Sequence, residues 1–315
     1  MNLNSPQNYL VMDISVVIVT YNSAGQIENC LASLSLQTGV AFEVIVVDNA
    51  SQDDSPARAR RFSHARVIAS PENLGFGRGC NLGFASSTGR YIYLLNPDTR
   101  LADARALAGV CQAMDAHPAW GMAGTRVRSA DGHHESEPAT EYPGQRHVRQ
   151  NFASLPGQIA WILGASMIVR RELYAQLGGF DPAFFLYSEE TDFCLRLRKA
   201  GHEIGQILEV TVEHVGGASE DPRDPYQTAA RKLRGLILFR QKHYSPDDCI
   251  RLAKRDVHRA WFRAGWNRLL ASLQPAHSPA WQKSRNYQAI LEVSREYLHK
   301  SAEPGAIRQP ARKTG

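Results

Sequence analysis

The sequence lacks the features that mark membrane-spanning or secreted proteins. No apolar run approaches the roughly 18 residues that a membrane-spanning helix needs. Residues 1–9 are polar and lack the basic and apolar regions of a signal peptide. The five cysteines are odd in number and form no Cys-x-x-Cys pair, which favours free thiols in a reducing compartment. We therefore expect a cytoplasmic protein.

Two common glycine-based nucleotide motifs are also missing. There is no Gly-Lys-Ser/Thr, which excludes a phosphate-binding P-loop. The glycine-rich stretch at 75–83 fails the Gly-x-Gly-x-x-Gly pattern because Cys80 occupies the last position, and it follows the third predicted strand instead of the first. This stretch is either a flexible loop entering a helix or a segment that brings Asn81 and helix-start amides close to a diphosphate.

Positive charge is scarce in the first two thirds of the chain. Residues 1–224 carry 18 Lys and Arg against 25 Asp and Glu, a net charge of −7. Residues 225–315 carry 18 against 6, a net charge of +12. The basic character therefore belongs to the tail and indicates an anionic surface as its partner. No recognised nucleic-acid-binding module accompanies it, so we expect no nucleic-acid partner.

Runs of β-branched and apolar residues alternate with helical patterns in the amino-terminal part. Residues 14–20, 42–47 and 67–68 are predicted to be strands, and residues 26–36 and 58–62 helices. This alternation indicates βαβ units and a parallel sheet. Polar side chains able to hold a nucleotide follow the three strands: Thr20, Asp48 and Asn73.

A further buried strand is predicted at 91–95, and it stops at Asn96-Pro97-Asp98 because proline lacks an amide donor and disfavours helix before it. Asp98 is then displayed at the carboxyl end of a buried strand, where open α/β sheets keep their ligand sites. A carboxylate beside an asparagine amide suits a hard divalent cation that also binds phosphate oxygens. A plain Asn-Pro-Asp turn is the alternative.

The middle of the chain contains an aperiodic polar segment at 129–158, which we expect to be a long exposed excursion near the second substrate. Residues 161–169 are then predicted to return to the core as a strand. Gly164 and Ala165 allow close approach of a ligand, although tight packing explains them equally well. Together with Trp161 they are candidate acceptor-binding residues.

A helix is predicted at 188–198, with acidic residues in its first turn and basic residues later. This order complements the helix dipole, which is a sufficient structural reason for the acids. A carboxylate at a helix start flanked by aromatic residues is also well placed as a general base. After a last strand at 205–212, His214 is a candidate to complete a metal site with Asp98.

The basic tail is predicted to be mostly helical. Residues 226–243 are expected to pack on the preceding domain. In residues 250–272, Trp and Phe alternate with arginines, which favours contact with an anionic membrane surface and a position at the inner face of the membrane. The predicted organisation is a catalytic domain at 13–225 (a donor half at about 13–125 and an acceptor half at about 126–225), a basic helical extension at 226–302 and a disordered tail at 303–315.

Taken in order, these segments resemble glycosyltransferase family 2. The resemblance rests on SVVIVTYN at 15–22, VDNAS at 47–51, ENLGF at 72–76 with Asn81, and LNPDT at 95–99. Further on, GGFD at 178–181, FF at 184–185 and EETDFCLR at 189–196 are similar to the bacterial rhamnosyltransferase-like branch. The resemblance covers roughly 13–245, and its specificity lies in the ordered series.

This resemblance implies an α/β protein of the GT-A fold, with a Rossmann-like βαβ nucleotide-binding half, a mixed central sheet and a C-terminal helical extension. It also implies inverting transfer of a sugar from a nucleotide-diphosphate donor. Its nucleotide-binding residues would be Thr20, Tyr21, Asn22 and Asp48 at the nucleoside, Asn73 and Asn81 near ribose or diphosphate, and Asn96 and Asp98 beside the diphosphate.

The same resemblance implies a metal ion and a base. Asn96-Pro97-Asp98 stands where the family has Asp-x-Asp, so Asp98 would hold Mg²⁺ or Mn²⁺, joined by His214. Glu189-Glu190 stands where the family usually has Glu-Asp, the second residue being the base. The base therefore stays open between Glu190, Glu189 and Asp192, and Asp192 is also a candidate for acceptor binding.

The implied donor is a dTDP- or UDP-sugar, with rhamnose as the leading sugar. The implied acceptor is a glycan or lipid-linked hydroxyl in cell-surface polysaccharide synthesis. A sugar-nucleotide pyrophosphorylase is disfavoured, because such an enzyme needs a loop rich in glycine and Lys or Arg after the first strand. This chain has Tyr21-Asn22-Ser23 at that place. A non-catalytic nucleotide-sugar-binding or scaffold protein of the same fold is the alternative, because Asn96 and Glu190 depart from the family pattern.

Overall fold

A computed structural model describes residues 12–215, 223–272 and 278–303. These residues fall into two units. The first contains the described part of 1–141 with 155–185 and 190–218, and the second contains 142–154, 186–189 and the described part of 219–315. The tail predicted to be disordered, 303–315, lies outside the described residues apart from Glu303.

The first unit contains the strands and the shorter helices. Its strands are β1 (Ile14–Thr20), β2 (Phe42–Asp48), β3 (Ala65–Ala69), β4 (Tyr91–Leu95), β5 (Thr99–Leu101), β6 (Trp120–Ser129), β7 (Glu135–Ser136), β8 (Ser166–Arg170) and β9 (Glu203–His214). The helices that accompany them are α1 (Ile27–Ser35), α2 (Ser55–Ala59), α3 (Phe76–Ala85), α4 (Ala106–Ala116), α5 (Arg171–Gln176) and α6 (Glu189–Lys199).

The strands form one mixed sheet in the order β3-β2-β1-β4-β8-β6-β9-β5, with β7 beside β6. β3, β2, β1 and β4 are parallel neighbours, and β8 runs antiparallel to both β4 and β6. The parallel half is the predicted nucleotide-binding half, and the antiparallel β8 makes the central sheet mixed. The predicted α/β fold with a GT-A arrangement is therefore confirmed.

Helices cover both faces of the parallel strands, which is why these strands are apolar at successive positions. Val16 and Ile18 of β1 belong to the same buried cluster as Ile27 of α1. The alternate residue Val17 belongs to a second cluster on the opposite face. There α3 packs so closely that a Cβ on Gly83 would overlap the Val17 side chain. Part of the glycine-rich stretch at 75–83 is thus explained by helix–sheet packing.

The strand predicted at 161–169 is only half correct. Regular pairing starts at Ser166, opposite Leu95, and runs to Arg170. Before that point Trp161 makes a single bridge with Ala139, and its indole Nε1 donates to the carbonyl of Glu141 at 3.1 Å. Residues 162–165 therefore form a loop next to the end of β4, because no strand among the described residues pairs with them.

The polar segment at 129–158 was predicted to be exposed, and this is wrong for its central part. Tyr142 and Phe152 are 2% and 5% exposed. Their rings lie 5.0 Å apart between centroids, and Tyr142 also stacks on Phe239 at 6.1 Å. These aromatic residues are isolated among polar ones, so periodicity alone did not reveal their burial.

The second unit is built on the helices α7 (Pro225–His243), α8 (Pro246–Ser272) and α9 (Pro279–Ala302). Its core contains Ala230, Leu233 and Ile237 of α7 with Ala289 and Val293 of α9. Asp224 caps α7 and Ser278 caps α9, each accepting a backbone N–H of the first turn. Among the described helices, none combines the length and the apolar character that crossing a bilayer requires.

Candidate active site

The carboxyl ends of three adjacent parallel strands meet at one edge of the sheet. Thr20 at the end of β1 is in register with Asp48 at the end of β2, and β4 lies on the other side of β1. Thr20 and Asp48, two of the predicted nucleotide-binding residues, therefore lie beside each other on neighbouring strands. Asn96 follows β4 at the same edge, and its amide donates to the Ala165 carbonyl at 3.0 Å.

Thr20 and Asp48 carry buried polar atoms that lack a partner within the protein. The two residues are 0% and 4% exposed, and among the described residues neither Thr20 Oγ1 nor Asp48 Oδ1 has a hydrogen-bond partner. A buried polar atom without a partner costs roughly 1–3 kcal/mol. These two atoms lie at the carboxyl ends of parallel strands, the edge where α/β sheets bind ligands.

Asn22 fastens the loop after β1 to the loop after β2. Its backbone is left-handed, with φ of 51°. Its amide N–H donates to Ser51 Oγ at 3.0 Å, and its side-chain oxygen accepts the Gln52 amide at 2.8 Å. The preceding residue, Tyr21, is 44% exposed at this edge of the sheet. Asn22 therefore holds the two loops together, and the Tyr21 side chain is open to solvent beside them.

Asn49, which sequence reasoning passed over, fixes the loop before α3. Its amide nitrogen donates to Asn73 Oδ1 at 3.0 Å and to the Gly75 carbonyl at 3.1 Å, and its oxygen accepts the Leu74 amide at 2.9 Å. Asn73 itself accepts the Gly75 amide. The signal available in the sequence was an asparagine directly after the acid that ends β2. Asn73 thus lies next to Asn49, the residue after Asp48, and uses its side-chain oxygen to hold the loop.

Asn81 lies in the middle of α3. It is therefore separate from the amides at the helix start, which were expected to approach a diphosphate together with it. Its side-chain oxygen accepts Tyr174 Oη at 2.7 Å and the Phe180 amide at 3.0 Å, while its nitrogen donates to the Phe180 carbonyl at 2.8 Å. These three bonds tie α3 to the segment after α5. Asn81 therefore anchors these elements, and its expected place near the ribose or diphosphate stays a prediction.

Asp98 and His214 face each other on neighbouring segments. Thr99 in β5 pairs with His214 in β9, and the amide of Val215 donates to the Asp98 carbonyl at 3.0 Å. This pairing brings Asp98 Oδ2 within 3.2 Å of His214 Nε2, with Asp98 5% exposed. Two residues separated by more than a hundred positions are thus brought together as the sequence predicted.

The Asp98–His214 pair suits a divalent cation by its donor chemistry. A carboxylate oxygen and an imidazole nitrogen are ligands that Mn²⁺ accepts, and Mg²⁺ takes one or two carboxylates with substrate phosphates and water. Among the described residues, no group of three or more His, Cys, Asp and Glu that could hold a metal ion is found. The remaining ligands would then come from a diphosphate and water. Cys30 lies close by, but burial raises the pKa of its thiol to about 12, so it stays neutral.

The two glutamates differ in exposure at the start of α6. Glu189 is 3% exposed, whereas Glu190 is half-buried. The two residues before the helix, Tyr187 and Ser188, both adopt left-handed backbone with φ of 72° and 71°. Non-glycine residues held in this region cost energy and cluster at functional sites. Of the two glutamates, Glu190 therefore has the more accessible side chain.

The loop before β8 links Glu190 to the end of β4. A Cβ placed on Gly164 would lie 3.8 Å from both Cβ and Cγ of Glu190, in ordinary contact. The next residue, Ala165, accepts the Asn96 amide at 3.0 Å. The Gly164–Ala165 peptide therefore lies between Glu190 and the Asn96-Pro97-Asp98 turn. A carboxylate and the candidate cation site are brought to the same region.

Asp192 and Trp161, which were predicted to bind the acceptor, both make contacts within the protein. Asp192 is fully buried, and its Oδ2 accepts Arg196 Nε at 2.8 Å. Arg196 also donates to the carbonyls of Leu177 and Gly179, each at 2.8 Å. Trp161 is tied to its own loop as described above. Asp192 thus stabilises the segment that leads into α6.

Comparison with known proteins agrees with this architecture. The sequence profile of the family described as "Glycosyl transferase family 2" matches residues 15–187, more than half of the chain. A Mycobacterium tuberculosis relative described as N-acetylglucosaminyl-diphospho-decaprenol L-rhamnosyltransferase is 28% identical over 289 residues, 80% of this chain and 87% of its own.

Solved structures share the fold at lower identity. A Pyrobaculum calidifontis mannosyltransferase in complex with GDP-Man and Mn²⁺ has a TM-score of 0.54 and 19% identity, covering 92% of this chain and 73% of its own. S. aureus TarS, residues 1–349, has a TM-score of 0.54 and 18% identity, covering 91% and 92%. The order of motifs, the mixed sheet and the family match agree, and the chain belongs to glycosyltransferase family 2.

Proposed function

We propose that this glycosyltransferase moves a sugar, with inversion at the anomeric carbon, from a nucleoside diphosphate to an acceptor hydroxyl. The observation that carries the proposal is the placement of Glu190 across the Gly164–Ala165 peptide from the turn that holds Asp98. An inverting displacement needs a base on one side of the anomeric carbon and charge stabilisation for the leaving group on the other. The two carboxylates are suited to these separate tasks.

The nucleoside would bind at the ends of β1 and β2. The buried Thr20 Oγ1 and Asp48 Oδ1 have the hydrogen-bonding capacity to fix a base or ribose, and the exposed Tyr21 ring can stack on the base. Asn22 and Asn49 keep the two loops in position through the bonds described above. This assignment of binding residues is supported by their unsatisfied or exposed groups.

Glu190 would act as the general base. Its carboxylate takes the proton from the acceptor hydroxyl while that oxygen forms a bond to the anomeric carbon. The bond from this carbon to the diphosphate oxygen breaks, and the electron pair leaves with the nucleoside diphosphate. A positioned base contributes about 10²–10⁴-fold to such a reaction.

Asp98 and His214 would hold the metal ion. When bound there, Mg²⁺ or Mn²⁺ would neutralise charge on the departing diphosphate. The burial of Asp98 strengthens its electrostatic interactions, because the local dielectric constant is lower than that of water. A metal-bound diphosphate also accounts for the lack of a Lys or Arg cluster in the Asn96-Pro97-Asp98 turn.

For the substrates, rhamnose from a dTDP- or UDP-linked donor and a lipid-linked or glycan acceptor are the proposed pair. The support is the 28% identity to the M. tuberculosis relative described as a rhamnosyltransferase, together with the resemblance of residues 178–196 to the rhamnosyltransferase-like branch. Cell-surface polysaccharide synthesis is the process in which we propose that the enzyme acts.

The experiment that tests the reaction is a panel of nucleoside diphosphates and nucleotide sugars. We expect dTDP or UDP with Mn²⁺ to raise the melting temperature by several degrees, since ligand at about 100 times its dissociation constant adds about 2.7 kcal/mol. NMR of the product should show the anomeric configuration opposite to that of the donor. Retention of configuration would contradict the mechanism, and binding without turnover of any donor would favour the non-catalytic alternative.

A Thr20→Val variant tests the nucleoside pocket separately from catalysis. Valine keeps the shape but removes the buried hydroxyl that has no protein partner. We therefore expect the melting temperature to stay equal or rise, while the dissociation constant for dTDP or UDP rises about 3–10-fold by calorimetry.

The matched control is Thr125→Val. Thr125 is equally buried, but its Oγ1 lies 2.7 Å from Ser166 Oγ, so its loss should lower the melting temperature and leave nucleotide affinity unchanged. If Thr20→Val lowered the melting temperature like the control and left affinity unchanged, the Thr20 hydroxyl would be structural.

A further inference from the structure

The carboxyl-terminal half of α8 has an exposed apolar face that the described residues of its own unit do not cover. Trp261, Phe262, Trp266 and Leu269 are 62%, 74%, 62% and 58% exposed. At 3.6 residues per turn these four side chains fall within an arc of about 140° of the helix surface. Solvent-exposed aromatic residues grouped in this way mark an interaction surface.

The opposite face of the same helix already supplies the packing of α8. Cys249, Leu252, Ala253 and Ala260 are at most 3% exposed and lie on the other side of the helix. A helix in a globular unit needs one apolar stripe for its core. The second stripe, hereafter the α8 aromatic face, therefore requires a different explanation.

Basic residues flank this aromatic face, and acidic residues are absent from it. Residues 257–272 contain no Asp or Glu. At the helical period Arg259 and Arg268 lie at the two edges of the aromatic face, and both are exposed. Arg263, which is further round the helix, donates to Tyr287 Oη at 3.2 Å on α9. The surface thus combines a broad aromatic centre with positive edges.

We propose that the α8 aromatic face binds the surface of an anionic phospholipid bilayer. Tryptophan prefers the boundary between headgroups and acyl chains, and exposed arginines attract anionic headgroups. A helix with an apolar aromatic face and basic edges lies in the plane of the interface. A protein partner would need acidic groups around an aromatic-accepting groove. An anionic bilayer presents negatively charged headgroups and an apolar interior over its whole surface. The proposal is independent of the transfer reaction and of the donor.

The test uses the full chain in flotation assays with vesicles of phosphatidylcholine, with and without about 30% phosphatidylglycerol. We expect wild type to partition at least about tenfold more strongly onto the anionic vesicles, because each Arg near such a surface contributes about fivefold. The binding should weaken with salt. Light scattering of the protein without lipid should show no dimer that depends on this face.

Two variants separate the apolar and the electrostatic parts. Trp261→Ser/Trp266→Ser should lower partitioning about 30-fold or more, since each aromatic residue loses its buried area. Arg259→Glu/Arg268→Glu should remove the preference for anionic lipid and the salt dependence. Both should keep the wild-type melting temperature and nucleotide affinity, because the changed side chains are exposed.

Matched controls use exposed residues of the first unit. Leu36→Ser/Leu208→Ser removes apolar side chains that are 67% and 50% exposed, and Arg60→Glu/Arg105→Glu reverses two exposed charges. These controls should partition like wild type. Unchanged binding of the tryptophan variant would overturn the proposal. A second outcome would also overturn it: wild type does not bind vesicles but forms a dimer, and the tryptophan variant is monomeric. In that case a second copy of the chain would cover the α8 aromatic face.

Discussion

Replacing Glu190 with glutamine is expected to lower kcat by about 10²–10⁴-fold while leaving the dissociation constant of the donor nearly unchanged. Glutamine has the same length and shape, so it should keep the position of this side chain beside Gly164. It cannot take a proton from the acceptor hydroxyl. The loss should therefore appear in the chemical step and not in nucleotide binding. Single-turnover rates and calorimetric titration with dTDP or UDP would measure the two quantities separately.

Glu189→Gln is the control for this experiment. Glu189 has the same chemistry one residue earlier, but it is 3% exposed, so a substrate hydroxyl cannot reach it in this conformation. We expect a lower melting temperature for Glu189→Gln and a smaller effect on kcat. If Glu190→Gln retained near-normal kcat and Glu189→Gln lost it, the base would be Glu189. Asp192 is the weaker alternative, because its carboxylate is fully buried against Arg196.

Replacing Asp98 with alanine is expected to remove the effect of Mg²⁺ or Mn²⁺ on donor binding. Asp98 supplies the buried carboxylate beside His214, and without it the imidazole alone is a poor ligand for either ion. In the presence of Mn²⁺ the dissociation constant for dTDP or UDP should rise by about 10–100-fold, toward the value measured with chelator. Calorimetry with and without Mn²⁺ gives both values.

Two further variants keep this result interpretable. Asp98→Asn retains the side-chain shape and a hydrogen-bonding oxygen near His214, so it separates loss of charge from loss of packing. Glu209→Ala removes an exposed carboxylate from β9, the strand that carries His214, and should change nothing. Undiminished metal-dependent affinity in Asp98→Ala would remove Asp98 from the cation site. The same loss in Glu209→Ala would point to a general effect of charge.

Much of the fold was predictable because the parallel half of the sheet is buried on both faces. Residues 14–20 and 91–95 contain mainly β-branched, aromatic and leucine side chains, and the structure forms β1 and β4 over these same residues. Burial on both faces favours such side chains at most successive positions, and proline after Asn96 marks the end of the second run. The meeting of Thr20 with Asp48 then follows from parallel pairing alone.

Other features depend on contacts between distant parts of the chain, and local pattern does not contain them. The apolar residues at 162–165 lack a strand partner, so they form a loop in spite of their composition. Tyr142 and Phe152 are buried because Phe239 lies across from them, about a hundred residues later. Asn81 and Asp192 have the residue types of a binding site, yet Phe180 and Arg196 occupy their hydrogen-bonding groups.

The class of fold, the family resemblance and the polar residues at the strand ends could be read from the chain alone, because strand ends and an ordered series of motifs are local properties. Which of these polar residues keep accessible or unsatisfied atoms depends on the folded structure. The pairing of β5 with β9 brings His214 to Asp98, and the start of α6 leaves Glu190 half-buried while Glu189 is buried. The availability of a polar group depends on which distant groups already bond to it, and those partners are set only when the chain folds.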